Sequence, residues 1–169
     1  MKLSSPRAMT TLIGAAAVAT ALTSTAAAAQ PAKQHLPRIV SSWAAAWNGT
    51  DPQALGALFA TDGTYTDQAV GVTFHGRQEI SGWKARADSS IDNVHVTVRA
   101  AYHDGDHITI EAIYSGHLKG APKPFAVPMA TLLDLDSHRQ ITSNQDYYNL
   151  NAVLTQSGLP TNWTPPTSS

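Results

Sequence analysis

Two aspartates lie in aromatic contexts that suit acid–base chemistry. Asp67 ends the segment Tyr65-Thr66-Asp67, and Asp146 is followed by two tyrosines near the end of the chain. A carboxylate beside an apolar wall has its charged form disfavoured, which raises its pKa towards the range useful for a general acid or base. The two aspartates could do this chemistry if the fold places them beside an apolar cavity.

The elements that position these aspartates begin after a predicted secretory signal peptide, residues 1–29. Lys2 and Arg7 precede an uncharged run, and Ala27-Ala28-Ala29 supplies the small residues of a cleavage site. The alternative, a transmembrane helix, would need ~20 strongly apolar residues, and this run is rich in Ala and Thr. We expect a secreted or extracytoplasmic domain at residues 30–154, without a membrane span once the signal is removed, and a flexible tail at residues 155–169.

The charge balance argues against a nucleic-acid partner. Removing Lys2 and Arg7 lowers the basic count from 11 to 9 against 12 acidic residues, so the net charge changes from -1 to -3. A mildly acidic domain without a basic stripe is a poor nucleic-acid binder. The chain has no cysteine, and the histidines and aspartates at residues 103–107 have turn spacing rather than metal-ligand spacing. We expect no metal and no organic cofactor.

The apolar spacing predicts three helices in the first half of the domain. A helix over 34–48 buries one face, and a second begins at Asp51-Pro52, a cap followed by proline, and continues through Phe59 to Asp62-Gly63. A third helix is predicted from Arg77 to Ala87. Three tryptophans at helical spacing are expected to pack in the core and line a cavity: Trp43, Trp47 and Trp83.

The second half alternates with a period of two, which predicts strands. Val94, Val96 and Val98 alternate with polar residues before a hairpin turn at Asp104-Gly105. Two further strands are predicted over Val127 to Leu135 and Ile141 to Leu150. Helices grouped before hairpin-linked strands indicate an α+β fold, with the helices packed on one side of a bent sheet.

These elements together resemble the SnoaL-like polyketide cyclase group of the nuclear transport factor 2-like superfamily. The resemblance covers Leu36 to Leu159 and is carried by the helix pair and four segments: Phe59 to Asp67, Gly76 to Ile80, Asp104 to Asp106, and Asp146 to Asn149. It implies a cone in which three N-terminal helices pack against a strongly bent antiparallel sheet and enclose an apolar cavity. Members include cyclases, isomerases, epoxide hydrolases and proteins without chemistry.

The resemblance also implies roles for single residues. Asp67 matches the proton-abstracting carboxylate of the isomerases, Asp146 the essential aspartate of the cyclases and hydrolases, and Tyr65 a water-holding tyrosine of the hydrolases. Alternation places Asn144, Asp146 and Tyr148 on one face of the last strand, and the resemblance implies that this face lines the cavity. The alternatives are that Asp67 hydrogen-bonds the following loop and that Tyr65 is a core residue.

The chain differs from the family pattern at the residues that act together with these aspartates in the hydrolases and isomerases. The arginine and second aspartate of the hydrolases are replaced by Ala112 and Tyr114, and the oxyanion donors of the isomerases by Trp43 and Thr131. With the turn at Asp104-Gly105, His95 lies opposite Tyr114 and Arg99 opposite Ile110, so both are candidates to line the cavity beside Asp146. The alternative is an exposed strand end with solvated polar residues.

We therefore expect a cavity that binds a small, largely hydrophobic organic molecule such as a polyketide, terpenoid or steroid-like compound. If the protein is catalytic, Asp146, Asp67, Tyr65 and His95 are the expected catalytic residues of a cofactor-independent cyclase or isomerase. The alternative is a binding or dimerisation module without chemistry. Related domains commonly pair through the open sheet face, so the resemblance also implies that a homodimer is possible. The predicted ligand-binding residues are Trp43, Trp47, Trp83, Arg99, Ala112, Tyr114, Thr131 and Tyr148.

Overall fold

The computed structural model describes residues 36–163, which contain four helices and six strands. The predicted signal peptide and residues 164–169 of the predicted tail lie outside the described residues. The elements are α1 (Arg38–Asn48), α2 (Pro52–Gly56), β1 (Phe59–Asp67), β2 (Val72–His75), α3 (Gly76–Ser90), β3 (Ile91–Asp104), β4 (His107–Leu118), β5 (Phe125–Leu135), β6 (Ile141–Tyr148) and α4 (Leu150–Ser157).

The strands form one six-stranded sheet in the order β2-β1-β6-β5-β4-β3. The sheet is open, with β2 and β3 at its edges, and helices α1, α3 and α4 pack against it. The α+β fold class is confirmed. The prediction of a purely antiparallel sheet is wrong for one pair, because β1 and β6 run parallel. Parallel neighbours need a long crossover, which here comprises β2, α3 and the strands β3 to β5.

Helix α2 begins as predicted and ends early. The Asp51 carboxylate accepts a backbone hydrogen bond at 2.9 Å, and Pro52 occupies the first helical position. The helix ends at Gly56 rather than Gly63, because Phe59 starts strand β1 and is fully buried in the core. The predicted helical position of Phe59 is therefore wrong, since pairing with β6 overrides the helical spacing.

The β3–β4 hairpin turns one residue later than predicted. Asp104 pairs with His107, so the turn residues are Gly105 and Asp106, and Gly105 has a φ of 60° that suits glycine. This displacement changes each pairing by two positions and keeps the same side chains on each face. The register shift between Val98 and Ala100 adds the one-residue change that moves His95 to the opposite face.

The inner face of this hairpin is consequently formed by valines. Val98 pairs with Ala112 and Val96 with Tyr114, and the register shifts between Val98 and Ala100. The predicted pairs of His95 with Tyr114 and of Arg99 with Ile110 are wrong. Both predictions placed the turn one residue too early and assumed an uninterrupted register between Val98 and Ala100.

A fourth helix follows the last strand and was not predicted. The Asn149 side chain caps it by accepting a hydrogen bond from Ala152 N at 3.0 Å, and Gly158 ends it with a φ of 76°. Val153 and Leu154 are buried. The segment predicted to be flexible from residue 155 therefore begins inside a helix.

The core lies between the helices and the inner face of the sheet. Trp43, Phe59, Ile80, Ile110 and Ile141 are fully buried within one apolar cluster. Over residues 36–163, no helix is long and apolar enough to cross a membrane.

Candidate functional site

A cavity of ≈ 460 Å³ is lined by the inner sheet face and by side chains of α1, α3 and α4. Its wall is mostly apolar and aromatic. The apolar lining residues are Trp47, Val70, Trp83, Ala87, Ile91, Val96, Leu118, Phe125, Met129, Leu150, Val153, Leu154 and Trp163. The polar lining residues are Tyr65, Asp67, Arg86, Ser89, Ser90, Tyr114, Asp146 and Tyr148.

Asp67 and Asp146 stand next to each other on the cavity wall. They are register partners in the parallel β1–β6 pair, and each is only 3% exposed. Because register partners on neighbouring strands project to the same face, the two carboxylates reach the same cavity. The crossover that makes β1 and β6 parallel neighbours therefore creates the site.

Three side chains hold the Asp146 carboxylate. Thr131 Oγ1 donates to Oδ1 at 2.6 Å, Asn144 Nδ2 donates to the same oxygen at 2.9 Å, and the Tyr65 hydroxyl donates to Oδ2. Burial raises the pKa of Asp146 to about 6, and the charge of Asp67 adds to the rise, although the three donors oppose it. Asp146 thus changes its charge near neutral pH.

Asp67 is held by its own loop and by a tyrosine. Its Oδ1 accepts hydrogen bonds from the backbone of Ala69 at 3.0 Å and Val70 at 2.9 Å, and its Oδ2 accepts one from the Tyr148 hydroxyl at 2.9 Å. Burial raises the pKa of this carboxyl, against the effect of the three donors. Asp67 therefore hydrogen-bonds the β1–β2 loop, as in the alternative role. It also lines the cavity.

The two tyrosines act as hydrogen-bond donors to the acids. Burial and the neighbouring carboxylates raise the pKa of Tyr65 and of Tyr148 well above the ordinary value of 10.0. Both hydroxyls therefore remain protonated at neutral pH. Each aspartate is paired with one phenol: Tyr65 with Asp146 and Tyr148 with Asp67.

No basic side chain within residues 36–163 forms an ion pair with either acid. The aspartates that do form ion pairs in this part of the chain lie elsewhere: Asp88, Asp92, Asp106 and Asp134. Buried charges are costly unless an opposite charge or hydrogen bonds compensate them. Asp67 and Asp146 accept hydrogen bonds from neutral donors, and within this described part of the chain neither forms an ion pair that would compensate its negative charge.

Aromatic rings surround the two acids. Trp47 packs on Tyr65 with ring centroids 6.0 Å apart, and Tyr114 packs on Tyr148 at 5.3 Å and on Phe125 at 5.1 Å. The indole nitrogens of Trp47 and Trp83 are buried and have no hydrogen-bond partner in the described residues. The wall therefore offers several aromatic faces near a negative centre.

Three of the predicted ligand-binding residues lie behind the cavity wall. Trp43 is fully buried and donates from Nε1 to Asn144 Oδ1 at 2.9 Å, and Asn144 in turn donates to Asp146. Thr131 is fully buried and contacts the same carboxylate. Ala112 is buried in the core and does not line this cavity. Trp43 and Thr131 therefore do not line the cavity. Thr131 donates a hydrogen bond to Asp146 directly, and Trp43 is linked to Asp146 through Asn144.

His95 and Arg99 lie away from the two acids. Both side chains are exposed, and neither lines the cavity. Arg99 lines a shallow groove with Glu111 and Tyr147 on the other face of the sheet. The predicted His95–Asp146 pair is therefore wrong, because the hairpin register places Val96 on the cavity face instead.

The sequence placed Asn144 on the same face as Asp146 but did not predict their hydrogen bond. It also missed Arg86 and the wall formed by α4. Arg86 follows Trp83 by three residues, a spacing that places both on one face of a helix, so the signal was available. Helix α4 follows a strand directly and carries only a short apolar pattern, which the nearby prolines obscured. Within residues 36–163, no group of three or more His, Asp or Glu side chains could hold a metal ion.

The sequence is similar to that of a known domain family. A family model for the SnoaL-like domain matches residues 40–144. No curated protein sequence matches the chain.

Solved structures share the fold. A protein with a ketosteroid isomerase-like fold from Catenulispora acidiphila DSM 44928, crystallised in complex with trimethylamine, is 65% identical, with a TM-score of 0.76 over 78% of this chain and 100% of that one. A protein assigned as a SnoaL-like polyketide cyclase from Shewanella putrefaciens CN-32 is 18% identical, with a TM-score of 0.65 over 73% and 98% of the two chains. An LEH-like epoxide hydrolase from M. tuberculosis is 16% identical, with a TM-score of 0.60 over 70% and 86%.

Proposed function

The chain belongs to the SnoaL-like domain family, and we propose that its cavity binds a small, largely hydrophobic organic molecule that carries a positive charge. An alkylated ammonium group is the chemistry that fits best. The observation that carries the proposal is the buried pair Asp67 and Asp146, which has no basic partner among the described residues.

Asp67 and Asp146 carry negative charge that no ion pair among the described residues compensates. Two carboxylates in a low-dielectric wall attract a cation far more strongly than the same groups would in water. The hydrogen bonds from Tyr65 and Tyr148 hold the carboxylates in place, but they add no positive charge. A cationic ligand would supply it.

The aromatic wall supports the same class of ligand. Cations attract the faces of Trp and Tyr rings, and rings arranged around a pocket are a common way to bind methylated ammonium groups. Trp47, Trp83 and Tyr114 line the cavity with the acids. The cavity volume of ≈ 460 Å³ falls in the range typical of small-molecule sites.

The relative from Catenulispora acidiphila adds independent support. It is 65% identical to this chain and was crystallised in complex with trimethylamine. Trimethylamine is a base that is protonated at neutral pH and carries three methyl groups, so it combines the positive charge and the apolar surface that the cavity suits.

Acid–base catalysis on the bound molecule is the second candidate function. It is favoured by the pKa of Asp146, about 6, which suits a group that takes up and releases protons near neutral pH. In this candidate Asp146 is the general acid or base, Tyr65 orients it, and Asp67 is the second carboxylate. The reaction would be a proton transfer of the cyclase or isomerase type.

Calorimetric titration with two isosteric probes tests the binding proposal. Choline carries a trimethylammonium group, and 3,3-dimethylbutan-1-ol replaces the nitrogen with carbon and has no charge. With the full chain near pH 7.5, choline should bind at least about tenfold more tightly than the alcohol, because only choline neutralises the acids. The preference should shrink in Asp67→Asn and in Asp146→Asn.

The matched control is Asp104→Asn, at the exposed hairpin tip, which should keep the preference for choline. Equal binding of the two probes by the wild-type protein would contradict the cationic ligand. It would leave an uncharged ligand as the occupant of the cavity.

Export and self-association remain proposals. The predicted signal peptide at residues 1–29 lies outside the described residues. A homodimer through the outer sheet face is supported by the exposed Leu132 and Tyr147, which are 38% and 42% exposed. Apolar side chains on an open sheet face are typical of contact surfaces.

A further inference from the structure

We propose that the ligand is a zwitterion whose ammonium group lies against Asp67 and Asp146 and whose carboxylate binds Arg86 at the rim of the same cavity. The inference rests on the proposed function, since it takes the cationic group as given and adds the second charged group of the molecule. It assigns a binding role to Arg86, a residue outside the set that the sequence predicted.

Arg86 is the only basic side chain, among the described residues, that lines this cavity. It is exposed, whereas the two acids are 3% exposed. The positive charge therefore lies at the solvent side of the cavity and the negative charge in its interior. A ligand with the opposite arrangement of charges would match both.

The guanidinium of Arg86 is held in place by aromatic rings. It lies 4.9 Å from the Phe74 ring centroid and 5.8 Å from that of Trp83, and these two rings stack at 4.9 Å. Stacking on ring faces leaves the edge of a guanidinium free to donate hydrogen bonds in its plane. A planar group presented in this way fits a carboxylate through two parallel hydrogen bonds.

Arg86 has no acidic partner within residues 36–163. Its side chain forms no ion pair there, whereas Lys84 on the same helix is bound by Asp88 at 2.6 Å. The difference is informative because the two cations are only two residues apart on α3. Lys84 is neutralised by the protein, and Arg86 remains available to an anion from outside.

Further donors accompany Arg86 on the same helix face. Ser90 lies one turn further along α3, lines the cavity, and its hydroxyl makes no hydrogen bond within the described part of the chain. The Trp83 indole nitrogen, three residues before Arg86, is likewise without a partner there. The Ser90 hydroxyl can donate a hydrogen bond to a carboxylate at the rim.

A plain cation would meet Arg86 as a repulsive charge at the rim. A zwitterion avoids this cost, because its carboxylate neutralises Arg86 while its ammonium group neutralises the acids. The charge arrangement therefore selects an N-alkylated amino acid over a simple amine.

The test compares trimethylammonium carboxylates of increasing spacer length, beginning with glycine betaine, with choline as the cation that lacks the carboxylate. Titration of the full chain near pH 7.5 should give at least about tenfold tighter binding for the best zwitterion than for choline. In Arg86→Gln this advantage should disappear, while choline binds as well as before or better. Arg99→Gln, on the other face of the sheet, should retain the advantage.

The outcomes separate the two proposals. If wild-type protein binds choline as tightly as every zwitterion, or if Arg86→Gln keeps the full advantage, the role of Arg86 is refuted and the cationic ligand stands. If neither choline nor any zwitterion binds, the proposal of a cationic ligand is refuted, and the proposal of a zwitterionic ligand is refuted with it.

Discussion

At the scale of single residues, the site depends on two acids that the protein holds without neutralising. Asp146 accepts hydrogen bonds from Thr131, Asn144 and Tyr65, and all three keep the carboxylate in place beneath an apolar cavity. The chain thereby keeps a charge in an unfavourable environment. Such groups are common at functional sites, because the missing compensation is what a ligand or a reaction supplies.

This arrangement predicts an unusual dependence of stability on pH. The pKa of Asp146 rises on folding from an ordinary 3.8 to about 6, so the folded state binds the proton more tightly than the unfolded state. The free energy of unfolding should therefore fall as the pH rises, by roughly 3 kcal/mol in all, of which about 2 kcal/mol is lost between pH 4 and pH 6. Asp146→Asn cannot titrate and should lose this contribution.

Chemical denaturation across this pH range measures the effect. The stability of Asp146→Asn relative to the wild type should improve steadily with pH, and Asp104→Asn at the hairpin tip is the control. A constant difference between Asp146→Asn and wild type would show that Asp146 titrates alike in both states.

At the scale of secondary structure elements, helix α3 positions the rim of the cavity. It carries Trp83 and Arg86, and it crosses α2 closely at Gly56. A Cβ at Gly56 would lie 2.5 Å from the backbone oxygen of Arg77 and 2.2 Å from Ser81 Oγ, so the contact requires glycine. The α2–α3 contact therefore fixes where the cavity rim stands.

Gly56→Ala should destabilise the protein by about 1–3 kcal/mol, because the overpacked contact forces the two helices apart. The matched control is Gly82→Ala within α3, where the new Cβ would meet only the Arg86 side chain at 3.5 Å. That variant should be stabilised by about 0.5–1 kcal/mol, since alanine favours the helix. Thermal and chemical denaturation compare the pair, and equal effects would contradict the close crossing.

The sequence predicts elements well where local signals are strong. The cap at Asp51-Pro52 gives the start of α2, and alternation of valines gives strand β3. The sequence predicts an element poorly where its conformation depends on pairing with residues far away in the chain. Phe59 has helical spacing but pairs with β6, and a register shift between Val98 and Ala100, which no local signal announces, moves His95 from the predicted cavity face to the outer face.

At the scale of the whole molecule, the fold brings together residues from opposite ends of the domain. Asp67 and Asp146 are 79 positions apart by their numbers, and they become neighbours only through the parallel β1–β6 pair. Sequence reasoning identified both acids through the family resemblance and strand alternation. It could not show that neither acid forms an ion pair within residues 36–163, because that depends on where every other charged side chain lies relative to the cavity.

The central claim is that a cation binds these acids, and proton release on binding tests it most directly. Calorimetric titration of choline near pH 6, in buffers of different ionisation enthalpy, gives the number of protons exchanged. A bound cation lowers the pKa of Asp146, which is about 6, so protons should be released near pH 6 and almost none near pH 8. Asp146→Asn should greatly reduce the release. Choline binding without proton release near pH 6, or with proton uptake, would contradict the account.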